Sequence, residues 1–170
     1  MVKDKQLKNM VILGVVLITL LELYYAYKIT IEYKGIYHIA RFAILSLFQP
    51  FLYANLLGKE IINFKIKITI LISISILLPL LVYSTLPNYT YDEGKGIVSQ
   101  SLKENKDAIF AELSFNDKKI PVMNNPKQIF VADRVYYYKI ISDNIEEYFI
   151  VNPLTGETNQ LLEDYWRSGQ

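Results

Sequence analysis

The side chains able to do chemistry are few, and their types narrow the choice at once. There is no cysteine and a single histidine, His38. Thiolate catalysis, disulfides, iron–sulfur clusters and thiolate zinc sites therefore have no residues to build them. No G-x-S-x-G, H-E-x-x-H or glycine-rich phosphate loop occurs. Carboxylates remain. Glu146 and Glu147 are adjacent in a stretch of strand formers, so they point to opposite faces and do not pair as acid and base. Asp92 and Glu93 suit the N-terminus of a helix. These residues predict a non-enzymatic protein, without catalytic residues, cofactor or metal.

Glu22 and Arg41 are different, because each stands in a long apolar run, where an ionisable group is costly unless it is paired or reaches water. In a tight helical hairpin both would lie roughly 7–8 Å below the same membrane boundary, at ~1.5 Å per residue, and form an intramembrane ion pair. Such a pair serves helix packing, with snorkelling of each side chain as the simpler variant, or belongs to a proton or ion pathway. His38 lies about one turn before Arg41.

The elements that would carry these residues follow from the uneven spread of apolar side chains. Up to Leu86 the chain is dominated by Ile, Leu, Val and Phe runs; from Pro87 onward polar and charged residues are interleaved with short apolar stretches. Residues 1–86 carry 9 Lys and Arg against 4 Asp and Glu, residues 87–170 carry 9 against 13. A basic membrane half, 1–86, and an acidic domain, 87–170, are implied. No Lys/Arg cluster is dense enough for nucleic acid.

Three apolar runs, about residues 10–27, 36–57 and 68–86, are long enough to span a bilayer as helices. The first is preceded by three lysines but followed by bulky Tyr24, Tyr25 and Tyr27, which no signal peptidase accepts, so it reads as a retained span. The third is the most apolar, with Pro79 as a kink. The middle run carries Arg41, Gln49, Pro50 and Asn55 and admits a full span or a re-entrant segment. Lys3, Lys5 and Lys8, together with Lys59, Lys65 and Lys67, place the N-terminus and the second loop in the cytoplasm and the C-terminal domain outside. The expected setting is a multi-pass cell-membrane protein. The bias toward Lys, Ile, Asn and Tyr suggests an AT-rich bacterial genome.

In the C-terminal domain, Thr90-Tyr91-Asp92-Glu93 fits a capping box and predicts a helix over about 91–105, weakened by Gly94 and Gly96. Strands are predicted over 108–115, 120–123 and 128–132, with a turn at 116–119 and another at 124–126. The strongest pair is 134–141 with 145–151, joined as a hairpin. One helix on an antiparallel sheet makes an α+β domain. Residues 161–166 extend it as a short helix or strand. Tyr136, Tyr138 and Tyr148 are candidates for a stacking or peptide-binding surface, although a half-buried strand accounts for them equally. Asn88-Tyr89-Thr90 is a glycosylation sequon too close to the membrane to be used.

The capped helix, the strands and the closing hairpin, from Tyr136-Tyr137-Tyr138-Lys139 to Tyr148-Phe149-Ile150-Val151-Asn152-Pro153-Leu154-Thr155-Gly156-Glu157, resemble the PepSY domain over about residues 90–160. Asn152 stands where Asp is common, and the helix has glycines in place of alanines. The resemblance implies a membrane-anchored binding or regulatory module that contacts a peptide or a cell-surface peptidase; addition of a peptide to an exposed sheet edge is the binding mode expected for it. It carries over no site residues. The alternative makes the spans the working part, as a subunit of a transporter, sensor or immunity complex.

Overall fold

The computed structural model describes residues 2–58, 64–102, 109–122, 130–142 and 145–167. They form four helices and an antiparallel sheet: α1 (Val2–Glu32), α2 (Ala40–Gly58), α3 (Phe64–Ser84), α4 (Tyr91–Ser101), β1 (Ile109–Phe110), β2 (Lys119–Pro121), β3 (Arg134–Ser142), β4 (Ile145–Val151) and β5 (Thr158–Leu161). The chain divides into two compact units, one of Met1–Lys28 with Ile39–Thr85, the other of Ile29–His38 with Leu86–Gln170.

Among the described residues two segments are long and apolar enough to cross a membrane, Asn9–Glu32 and Ile66–Ser84. Only 17% and 11% of these windows are buried, which separates them from the core helices of a soluble protein. Leu17, Leu21, Phe48, Phe51, Leu77 and Leu80 present bare apolar surface on all three helices, the arrangement expected where lipid replaces water as solvent. Pro50 and Pro79 lie inside α2 and α3. The interior is small, built on Val15, Tyr53 and Leu71.

Two expected boundaries are corrected here. The first helix runs on past Tyr27 to Glu32, and the second begins only at Ala40. Residues 36–38, expected as the start of a span, are extended and pair with the C-terminal unit. His38 N–H donates to the Phe130 carbonyl at 2.8 Å, and Ala132 N–H donates to the Ile36 carbonyl at 2.8 Å around the Tyr37–Val131 bridge. Ile36 and Tyr37 are buried there. The turn before them is a helix C-cap in which Gly35, at φ +70, donates its N–H to the Thr30 carbonyl.

In the C-terminal unit the capping box forms as expected. The Thr90 hydroxyl accepts from Glu93 N–H at 3.3 Å, and Glu93 Oε2 accepts from Thr90 N–H at 2.7 Å. Helix α4 ends at Ser101, and the remainder of its expected length, from residue 103, lies outside the described residues.

The sheet order is β1-β3-β4-β5, with β2 also on β3. β3 and β4 pair from Tyr136↔Val151 to Ser142↔Ile145, the expected hairpin. The strand expected over 108–115 is reduced to Ile109–Phe110, and β2 is displaced to Lys119–Pro121. The turn at 124–126 lies outside the described residues. The sequence reading missed β5, which follows a turn closed by Gly156 at φ +74. Asn152 Oδ1 accepts from Leu154 N–H at 2.9 Å there, a role Asp fills equally well.

β3 is covered on both faces over Val135–Tyr138, where four consecutive residues are buried. Tyr136, Tyr138 and Ile140 share one side. Val135 and Tyr137 point the other way and pack with Ile120 and Tyr148.

Candidate functional site

Inside the helical unit the polar residues of three helices meet in one chain of hydrogen bonds. Gln49 and Tyr53 are four apart on α2 and therefore share a face; both are buried. Gln49 Nε2 donates to Glu22 Oε2 on α1 at 3.0 Å. The Tyr53 hydroxyl lies 3.3 Å from Gln49 Oε1, 3.3 Å from the Leu71 carbonyl and 2.9 Å from Ser75 Oγ on α3. Two buried oxygens on one face of α1, Glu22 Oε1 and Thr19 Oγ1, have no hydrogen-bond partner among the described residues.

A cavity of about 20 Å³ opens beside Glu22, with Ser46, Pro79 and Val82 in its walls. That is enough for about one water. Pro50 and Pro79 also remove the N–H groups that would close helical bonds on the carbonyls of residues 46 and 75.

Glu22, expected to face Arg41, has Gln49 as its hydrogen-bond partner in this geometry. Arg41 stands exposed in the first turn of α2. The reason is the position of the hairpin. With the helices meeting between Glu32 and Ala40, Glu22 and Gln49 lie at nearly equal distances from the turn, about 14–15 Å along their helices, whereas Arg41 is at its rim. Gln49 and Ser75 were visible in the sequence as polar residues in apolar runs. Their registration was not, because it depended on where the helices end.

In the C-terminal unit Tyr91, Tyr136 and Tyr138 form a layer between α4 and β3. Tyr91 stacks on Tyr138 at 4.7 Å and meets Tyr136 edge-on at 5.5 Å. Each hydroxyl donates to a main-chain carbonyl: Tyr136 to Tyr89 at 3.0 Å, Tyr138 to Tyr91 at 2.8 Å, Tyr91 to Tyr137 at 3.3 Å. Burial pushes all three phenols above their ordinary range. Tyr136 and Tyr138 are fully buried, so the expected stacking surface is corrected: rings enclosed by helix and sheet have no face left for a peptide.

Gly94 is part of the same layer. A Cβ there would run into the Tyr138 hydroxyl oxygen and come within 3.4 Å of the Tyr136 ring. The glycine that weakens the helix locally is what lets it approach the sheet.

Tyr148 lies on the opposite side, 6.3 Å from Tyr137 and nearly parallel to it. Its hydroxyl donates to Glu146 Oε2 at 2.6 Å, and the Tyr137 hydroxyl donates to Asp164 Oδ1 at 2.8 Å. Lys139 bridges both carboxylates, at 2.7 Å to Glu146 and 4.0 Å to Asp164, and Arg167 approaches them at 3.6 and 3.8 Å. The hydrogen bonds from Lys139 and then Tyr148 hold Glu146 below the ordinary carboxylate range, while Glu146 pushes Tyr148 up to about 12. These alternating charges and hydrogen bonds tie residues 164–167 to the sheet.

No protein-family model, no curated protein and no solved structure matches the chain.

Proposed function

We propose that this is a three-span, non-enzymatic membrane protein that carries a PepSY-like module outside the cell membrane as a binding or regulatory domain for a peptide or a surface peptidase. The observation that carries the topology is the pairing of Ile36–His38 with Phe130–Ala132. Two segments that exchange main-chain hydrogen bonds lie on the same side of a bilayer. Between them the chain passes once through α3, so a second crossing, by α2, is needed for its return. The lysines before α1 and around the α2–α3 connection support a cytoplasmic position for the opposite side.

Peptide addition is supported by the position of β5 at the end of the sheet, with Leu162 fully exposed beside it. An unpaired strand edge offers main-chain donors and acceptors irrespective of peptide sequence.

Cysteine labelling tests the topology cleanly, since the native chain has no thiol. In intact cells a membrane-impermeant maleimide should modify His38→Cys and Asn116→Cys but reach Gln6→Cys only after lysis; all three positions are exposed. Labelling of Asn116→Cys only after lysis ends the surface-peptidase reading. For binding, the full chain in detergent should show slowed amide exchange over 158–161 when an extended peptide is added. Unchanged exchange across a peptide library removes the edge mode.

A second reading is favoured by the unpartnered buried oxygen of Glu22 in the Gln49–Tyr53–Ser75 chain. Here the spans are the working part, with Glu22 as a proton or cation site of a transporter or sensor subunit. Its measure is a proton or cation flux in proteoliposomes that Glu22→Gln abolishes and deletion of the C-terminal domain does not.

A further inference from the structure

We propose that Lys34, Lys95 and Lys118 form a binding site for a phosphate-type oxyanion in the C-terminal unit, supplied by a lipid headgroup or by free phosphate. Their ammonium nitrogens lie 5.4, 5.6 and 5.6 Å from the centroid of one ring, that of Tyr91. They arrive from three separate segments: the turn after α1, the second turn of α4, and the turn before β2. All three side chains are partly buried and not extended into solvent.

Tyr91, with the Phe110 ring also 5.6 Å from the Lys95 ammonium, does not compensate three cations. Its quadrupole attracts an ammonium above an open face, and one face of Tyr91 is already covered by Tyr138. The carboxylates that act on Lys34 are Asp92 and Glu32. Burial and then Lys118 outweigh them, and Lys95 adds to the repulsion, so the Lys34 ammonium is held below its ordinary range. A fold gains nothing by gathering like charges at an under-compensated point unless an anion completes the set.

The position of Lys34 is also built. It is a non-glycine residue at φ +50, a left-handed conformation that persists only when its surroundings hold it. The buried Lys119 ammonium donates to the Lys34 carbonyl and lies 4.6 Å from the Phe115 ring centroid. Phe115 and Lys119 thereby fix the turn from which Lys34 projects.

Three rotatable ammonium groups gathered around one ring suit the three acceptor oxygens of a terminal phosphate better than the two of a carboxylate. Lys34 also follows the apolar segment ending at Glu32 by two residues, the level at which lipid phosphates lie in a bilayer. The site lies wholly within the C-terminal unit, so its free-phosphate arm does not depend on the membrane topology.

The test uses the full chain, wild type against Lys34→Gln/Lys95→Gln/Lys118→Gln, with circular dichroism as the folding control. In neutral detergent, inorganic phosphate is titrated by calorimetry. In nanodiscs of phosphatidylcholine with and without phosphatidylglycerol, retained lipid is counted by native mass spectrometry after delipidation. Wild type should bind phosphate or retain phosphatidylglycerol, and the triple variant should weaken that binding by about tenfold or more. Phosphate binding in detergent assigns a free ligand; retention of phosphatidylglycerol alone assigns a headgroup. Lys95→Gln, on the partly exposed surface of α4, should lose about threefold, and Lys95→Arg should restore it. Equal behaviour of wild type, Lys95→Gln and every folded variant in both arms overturns the proposal.

Discussion

In the C-terminal unit the hydroxyls of Tyr91, Tyr136 and Tyr138 each donate to a main-chain carbonyl. In the helical unit Glu22, Gln49, Tyr53 and Ser75 bond mainly to one another, and Glu22 keeps an oxygen to spare. A main-chain carbonyl cannot leave its place, so the first pattern locks a helix to a sheet. Side chains bonded to side chains can exchange partners, and a buried carboxylate with an unsatisfied acceptor oxygen has a reason to take up a water, a proton or a cation. Polar burial is therefore anchored to the main chain in one region and held mainly by side chains in the other.

The largest expected effect is in the locked region. Tyr138→Ala removes a fully buried ring and its bond to Tyr91, and should cost about 3–5 kcal/mol in urea unfolding followed by near-ultraviolet circular dichroism. Gly94→Ala should cost about 1–3 kcal/mol by driving a methyl group into the Tyr138 hydroxyl. The penalty should shrink in a Tyr138→Phe background, where the clashing oxygen is gone; an unchanged penalty would place the cause in the helix alone. Thr90→Ala should lose about 1 kcal/mol with the cap.

The helical unit should respond differently. Replacing Glu22 and Gln49 together by Leu removes both partners and should change thermal stability in detergent by less than about 1 kcal/mol. A loss comparable to that of Tyr138→Ala would mean that the polar chain is structural and would erase the contrast between the regions.

The smallest effects are electrostatic and lie at the sheet surface. Glu146 titrates below its ordinary value of 4.5 because Lys139 and Tyr148 bond the carboxylate. Its stabilising contribution is present above that value and is lost as pH falls through the lower folded one. Lys139→Met should flatten this acid limb in denaturation measured across pH. Tyr148 has the opposite sign: its contribution is intact below about 10 and fades as pH rises toward about 12, a shift that phenolate absorbance reads directly.

Much of this organisation was legible residue by residue. The capping box at Thr90 and the β3–β4 hairpin form where the sequence places them, because a cap needs residues three apart and a hairpin needs two adjacent strands. Long apolar runs likewise identify two helices able to cross a membrane from length and hydropathy alone. The candidate sites were less legible. Glu22 stood out as a charge in an apolar run, but its partner Gln49 depended on the hairpin lying at 33–39, after the Gly35 cap that ends α1.

The amino-acid sequence by itself determined the two-part character of the protein, its helices, its central hairpin and its poverty in catalytic groups, since these follow from composition and short-range periodicity. Only the tertiary structure decided that Ile36–His38 joins the C-terminal unit, that Gly94 makes room for Tyr138, and that Lys34, Lys95 and Lys118 meet at one ring. Each of these unites residues dozens of positions apart, and neither propensity nor periodicity, which act over a few residues, carries information across that distance.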